Sequence, residues 1–373
     1  MPNPKTNIVL IPELTGFIST DQISPDVIIN ARQMRTEGHL RYIDSLFDYL
    51  LEYDDNLAGN CDVRVESIRA REYTITNVTN QKQLDFLLDI LKHHYDELVQ
   101  IAIEGKLYGH LFRQIVWDNN AGYYTPAELI DYKEIDLRIL KRKIELFVED
   151  DRIDTDDHRF LKKLFKKSIL NSLCKYYAFS SFALNNWASF TETFGKPLRL
   201  GKYEAGASAN DVSLLKEAVE SLGDDQAAVI PKTVAIEFID HAQKTASKDL
   251  YESLASFARN AVTKRILGQI LTTEAVSTGS YAQSKTHDRV RHDILRADVR
   301  DCENLISHFL TVANNLNFPD QKIEIDIDDS QPVELSERIA IDRDLVLSIG
   351  LEIDEDYFYK TYKVPKPDSK KKL

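Results

Sequence analysis

Asn186-Trp-Ala-Ser-Phe-Thr-Glu-Thr-Phe-Gly-Lys-Pro-Leu-Arg-Leu-Gly-Lys-Tyr203 decides the fold, because a helix ends and a strand begins within it. Trp187, Phe190 and Phe194 recur at spacings of three and four, so they share one helical face and describe packing against a neighbour. Gly195 predicts the helix stop, and Pro197 and Gly201 bracket a short strand. Upstream, Ser168 to Phe194 reads as continuous helix, with Leu170, Leu173, Tyr177, Phe182, Leu184, Trp187 and Phe190 giving it apolar contacts on more than one side. A helix patterned that broadly is buried against more than one neighbour.

Downstream the pattern changes to a small αβ module: strand Pro197 to Leu200, helix Asp211 to Leu222, then strands at Ala227 to Ile230 and Thr233 to Ile239. Asn210 is the expected N-cap of that helix and Gly223 its stop. Helix resumes from Ser247 to Ile270, with Leu250, Leu254, Phe257, Ala261 and Leu267 as its expected buried side. It breaks over Leu271-Thr-Thr-Glu-Ala-Val-Ser-Thr-Gly-Ser280, where hydroxyl side chains compete for backbone hydrogen bonds and Gly279 tolerates unusual conformations. The next helix runs to Leu316 with Val290, Ile294, Ala297, Ile306, Phe309 and Ala313 as its stripe. Its alternating charges, Asp288 to Asp301 against Arg289 to Arg300, predict a solvated or intersubunit face.

The first half reads as a mixed domain behind a proline-marked arm. Helices are expected after Pro25 and from Tyr42 to Tyr53, and imperfect alternation between Cys61 and Ile75 predicts one or two strands. Gln81 to His94 and Tyr95 to Gly105 read as two helices, Leu107 to Trp117 as a strand turning at Asn119 to Gly122, and Ile135 to Phe147 as further strand. Arg159-Phe-Leu-Lys-Lys-Leu-Phe-Lys-Lys167 is basic and amphipathic, and it predicts a surface helix, with phosphate or membrane contact as the alternative.

The composition excludes several classes. Across 373 residues, 47 basic and 60 acidic side chains give a formal charge of −13, which argues against a nucleic-acid clamp spread over the whole surface. It allows a wall past which DNA slides. The 3 cysteines show no metal or disulfide spacing, and no apolar run reaches membrane-spanning length. His93 and His94 are adjacent, so on a helix they diverge by about 100° and make a poor ligand pair. No phosphate-binding glycine loop or nucleophile elbow is present.

In their order along the chain, several fragments resemble the Mu-like phage portal family: Asn186 to Tyr203, Val229-Ile-Pro231 with Ile236-Glu-Phe-Ile239, Gly268 to Ala275, Thr278-Gly-Ser-Tyr-Ala282 and His287. Weaker similarity extends from Ile23 to Pro367, with departures at Phe160 to Lys167 and Tyr73. The resemblance implies an α+β portal fold and a homo-oligomeric ring, usually a dodecamer, at a capsid vertex in the virion, assembled in the host cytoplasm. It divides the chain into an arm (1–22), a wing (23–167), a stem helix (168–196), a clip (197–240), a second stem helix (241–270), a tunnel loop (271–280), a wing helix and strand (281–333) and a short crown-like segment with a charged tail (334–373).

The same resemblance implies that Thr272, Thr273, Glu274, Ser277, Thr278, Gly279 and Ser280 border double-stranded DNA in transit. It assigns stem packing to Trp187, Phe190, Phe194 and Phe257, and docking of the terminase large subunit and then the head-tail adaptor to a clip surface carrying Lys216 and Glu220. The major capsid or scaffold protein is a further implied partner; no cofactor and no membrane are. Two other readings compete. Glu324, Asp326 and Asp328 alternate with isoleucines, so Asp326 and Asp328 could serve a metal-dependent nuclease, although a half-buried strand explains that period. A non-portal phage ring protein is the other.

Overall fold

The computed structural model describes residues 23–120, 122–132, 136–148, 151–155, 157–194, 199–204, 206–220, 227–231, 244–269, 281–331 and 335–366. They form a mixed α/β protein of two compact units, Met1–Ile327 and Asp328–Leu373.

The first unit opens with α1 (Pro25–Thr36), where Ser24 caps the Val27 N–H and Pro25 occupies the first turn. Helices α2 (Arg41–Tyr53) and α3 (Asp55–Arg69) follow. The strand expected near Cys61 is thus helical: Leu57, Cys61, Val65 and Ile68 are buried at helical spacing, and Val63, which carried the alternation, faces outward. Strand remains only at β1 (Tyr73–Thr76). The two helices expected over 81–105 are one, α4 (Gln81–Tyr108), capped by Asn80 and ended by Gly109. Its stripe of Leu87, Ile90, Leu91, Leu98, Val99 and Ala102 runs unbroken past the histidines.

Strand β2 (His110–Asn120) is the centre of a three-stranded antiparallel sheet with β3 (Tyr123–Asp131) on one side. A second antiparallel sheet contains β4 (Asp136–Leu140), β5 (Lys143–Val148) and β6 (Asp151–Ile153). The other neighbour of β2 is β7 (Phe160–Leu164), in register from Gln114↔Phe160 to His110↔Leu164. This corrects the surface helix expected over 159–167: pairing with an otherwise open edge of β2 overrides helical amphipathicity, and Phe160 and Leu161 enter the core.

Helix α5 (Leu170–Phe194) leads to β8 (Arg199–Tyr203), α6 (Ala209–Glu220) and β9 (Ala227–Pro231), with β8 and β9 parallel. The α6 cap falls at Ser208, two residues before Asn210: Ser208 Oγ accepts from the Asp211 N–H, and the Ser208 N–H donates to the Asp211 carboxylate. Gly223 and the strand expected over 233–239 lie outside the described residues. Helices α7 (Lys244–Leu267) and α8 (Tyr281–Asn317) follow, then β10 (Glu324–Ile327), which pairs antiparallel with β1. One core runs from Ile23 to Ile327 through α2, α3, α4, β2 and α8.

The second unit holds α9 (Leu335–Asp344), a π-turn over Leu345–Ile349 closed by Gly350, and α10 (Glu355–Thr361). Asp342 is its buried anchor, accepting hydrogen bonds from the Tyr357 and Tyr362 hydroxyls. The bond from Tyr362 helps push that phenol up to about 12.

Candidate functional site

Helices α5 and α7 pack against each other with small side chains between them. Ala183 of α5 and Ala255 and Ala258 of α7 are buried, so the two backbones approach closely. Large apolar side chains stay outside this contact: Phe182 is 63% exposed and Leu250 66%, Phe179 and Leu184 are also exposed, and Phe257, 58% exposed, keeps only an edge against α5. The buried side expected for α7 holds at Leu267 and is corrected at Leu250 and Phe257. Its inner stripe is Ala255, Ala258, Val262 and Ile266, while Leu250 and Phe257 point outward, because the alanine contact rotates the helix toward its small residues.

Two ring contacts tie the pair along its length: Tyr176 meets Phe257 edge-on at 6.1 Å between centroids, and Phe190 approaches Tyr251 at 6.3 Å. Trp187 and Phe190 are half-buried, and the side chain of Phe194 is outside the described residues. A helix pair whose large apolar groups lie outside its own interface leaves a surface that another macromolecule can cover.

The far end of α7 is held differently. Gly268 closes it with φ of +75°, and a Cβ there would lie 2.7 Å from Val290 and 2.9 Å from Ile294 of α8. Beneath this contact, Arg64 of α3 donates to both carboxylate oxygens of Asp298 at 2.8 and 2.6 Å, with the two side chains 6% and 2% exposed. Lys106 of α4 bridges Asp298 and Asp301 at 2.8 Å each, and Lys163 of β7 adds a second cation to Asp301. Burial acts against the charge of Lys106, but the two carboxylates outweigh it and raise its pKa. Burial likewise opposes the charge of Asp301, and bonds from Lys106 and Lys163 outweigh it and depress its pKa.

The solvated charged face expected for α8 holds at Arg289, Arg291, Asp293, Arg296 and Arg300, which are exposed, and is corrected at Asp298 and Asp301. Asp298 faces the interior of the same chain, where removal from water is compensated by the bidentate pair with Arg64, and half-buried Asp301 is tied to Lys106 and Lys163. The network joins α3, α4, β7 and α8. Arg64 also reaches the Ile266 carbonyl in the last turn of α7, so it braces helices on both sides of residues 270–280. Sequence reasoning missed Arg64 and Lys106, although the pairing of acids and bases along α8 carried the signal.

Thr272, Thr273, Glu274, Ser277, Thr278, Gly279 and Ser280 lie outside the described residues. Lys216 is exposed on α6; the side chain of Glu220 is outside the described set. On β10, Ile325 and Ile327 are buried and Asp326 faces out, while Glu324 binds Lys322 at 2.6 Å and the Asn77 amide at 3.1 Å. Asp328 follows the strand and is exposed. His93 bonds the Asp89 carbonyl and His94 the Pro126 carbonyl, so the two rings serve separate contacts. Among the described residues, no three His, Cys, Asp or Glu side chains are grouped to hold a metal. No described helix is long and apolar enough to cross a membrane.

A family model described as the portal protein of Mu bacteriophage matches residues 44–364. The portal protein of Escherichia phage Mu is 31% identical over 131 residues, which are 35% of this chain and 25% of that protein. The Mu-like prophage FluMu protein gp29 of Haemophilus influenzae is 26% identical over 267 residues, 68% of this chain and 49% of its own. The chain thus spans between a quarter and about half the length of these relatives. Among solved structures, an HK97 family phage portal protein from Corynebacterium diphtheriae aligns at 12% identity over 74% of this chain and 92% of its own, with a TM-score of 0.38. Because the family model covers most of the sequence, from α2 to beyond α10, the chain belongs to the family of the Mu bacteriophage portal protein.

Proposed function

We propose that this protein is the subunit of a closed ring, usually of twelve copies in the family it resembles, forming a DNA channel at a capsid vertex for packaging and ejection. Family membership supports a non-catalytic role. The observation that carries the ring reading is the α5–α7 pair, which turns alanines inward and leaves Phe182, Leu250 and Phe257 for a neighbouring copy. A cyclic interface uses two different patches on each subunit, so one face of this pair meets a different face of the next copy.

In this reading α5 and α7 form the stem and β8–α6–β9 the clip, with Lys216 and Glu220 on the surface offered first to the terminase large subunit and then to a head-tail adaptor. Residues 271–280 form the tunnel loop. Its Thr, Ser and Gly side chains would graze phosphates without the permanent Lys or Arg pairs that make binding sticky and salt-dependent. The bracing of α7 at its last turn and of α8 at Asp298 supports a mechanical role, since a loop held by rigid helices can shift while the ring persists. The capsid or scaffold protein would contact the remaining, wing-like part.

Electron microscopy of the purified chain tests the ring: a channel with a narrow stem and broad rim supports the reading, and monodisperse monomers at high concentration reject it. Deleting Ser277 to Ser280 tests the loop. Rings are expected to persist while filled-head yield or DNA retention falls; normal packaging without the loop would remove its role.

A further inference from the structure

The basic run near Lys167, noted in the sequence for possible phosphate contact, meets other cations in the fold. Where α1, the start of α5 and the last third of α7 come together, a concavity of about 690 Å³ is lined by Arg32, Arg35, Lys166, Lys167, Lys175 and Arg265. Among the described residues no carboxylate lines it, in a chain whose formal charge is −13. Lys166, Lys167 and Arg265 are exposed and have no ion pair among the described residues.

The site is built, not a chance gathering of mobile side chains. Arg35 donates to the Tyr108 carbonyl at 3.1 Å, and Arg32 donates through Nε to Asn171 at 2.9 Å, so each guanidinium is held while other N–H groups stay available. Gly109, with φ of +86°, makes room: a Cβ there would sit 2.8 Å from Arg35 Nη2 and 2.9 Å from Ser168. Ser168 caps α5 by accepting from the Asn171 N–H, and the positive end of that 25-residue helix faces the same concavity.

We propose that this concavity binds the phosphate backbone of a nucleic acid. Planar guanidinium groups suit the bidentate recognition of phosphate oxygens, and ammonium groups add point charge. The Asn171 side chain, whose oxygen accepts from Arg32, adds an amide N–H donor of the kind that contacts phosphates, whereas the Ser168 and Ser172 hydroxyls donate to the Leu107 and Ile169 carbonyls. Tyr176 lines the rim, its ring engaged by the Lys175 ammonium 4.8 Å from the centroid and edge-on by Phe257. The six cations around one concavity match a duplex backbone, which carries one charge for about every 1.7 Å of its axis. The site stands on its own charge pattern, whether or not the chain closes into a ring.

The test measures binding of the full chain to a short labelled DNA duplex by fluorescence anisotropy across a salt series. The Lys166→Glu/Lys167→Glu/Arg265→Glu variant is compared with an equal charge reversal elsewhere, Lys92→Glu/Arg291→Glu/Arg300→Glu. The first is expected to bind at least about tenfold more weakly, with a log–log salt slope shallower by roughly 2 to 3, while the second loses far less. Unchanged melting curves establish that both variants are folded. Polyphosphate is expected to displace the duplex and poly-glutamate at equal charge is not. Equal losses in both variants, or undetectable duplex binding at low salt, would overturn the proposal. Displacement by poly-glutamate would reassign the concavity to an acidic protein segment. Saturation by inorganic phosphate without duplex binding would reassign it to a free ion. Ring imaging is scored separately, so failure of the channel reading and failure of this site are distinguishable.

Discussion

Arg64 meets Asp298 in a pocket from which water is nearly absent, and removing either partner leaves a charge that the interior cannot solvate. Arg64→Ala is therefore expected to destabilise the chain by about 3 kcal/mol in denaturant unfolding, at the low end for a broken buried pair because Lys106 still reaches Asp298. The pH dependence has a definite sign. Asp301 has a depressed folded pKa, so its contribution is complete above its ordinary value of 3.8 and disappears as pH falls through the lower folded value. Lys106 has a raised one, so its contribution is complete below 10.5 and disappears as pH rises through the higher folded value. Melting temperature measured against pH is expected to drop at both ends, and Asp301→Asn to flatten the acid limb; an unchanged acid limb would show that the pairing adds nothing. Gly268→Ala adds a Cβ to a left-handed residue already against Val290 and Ile294, with an expected cost of about 2 to 3 kcal/mol in the same unfolding assay.

Among the elements, α5 and α7 respond oppositely to substitution on their two faces. Ala183→Leu would wedge the pair apart and lower the melting temperature of the chain itself, whereas Phe182→Ser with Leu250→Ser removes groups that the single chain leaves in water. The second variant is expected to melt like the parent but to self-associate roughly 10- to 100-fold more weakly per side chain, as sedimentation would register. Trp187→Ala falls between these cases, because the indole is half-buried in one chain. These helices were legible because 3.6-residue periodicity runs through Leu170 to Phe190 without a glycine or proline. Which face looks inward was not legible, since periodicity favours the larger side chains and the real contact uses alanines. Strand β7 was misread for a related reason: five residues with two lysines have no local signal that outweighs an available edge on β2. The signal for α3 lies in Leu57, Cys61, Val65 and Ile68, whose helical spacing the alternation of Val63 and Val65 masks locally.

At the scale of the whole molecule, the core of the first unit is drawn entirely from residues before Asp328. A chain ending at Ile327 is expected to keep its near-ultraviolet circular dichroism and a cooperative unfolding transition; a broadened, non-cooperative melt would show that the later residues complete the fold. The portal-family features were legible as ordered fragments rather than as a chemical signature, because the channel wall proposed for this chain needs shape and symmetry where an enzyme needs converging polar groups. Buried charge was the least legible feature, since Asp298 meets Arg64 across 234 positions and only the packed helices bring them together. The cysteines give this architecture a built-in clock. Cys61, Cys174 and Cys302 are all free and buried on α3, α5 and α8, and burial pushes the first two thiols up to about 12 and about 11 and raises the third. A thiol reagent in neutral buffer must wait for each helix to expose its sulfur, so three labelling rates in one protein would time the opening of three parts of its core, with no engineered probe.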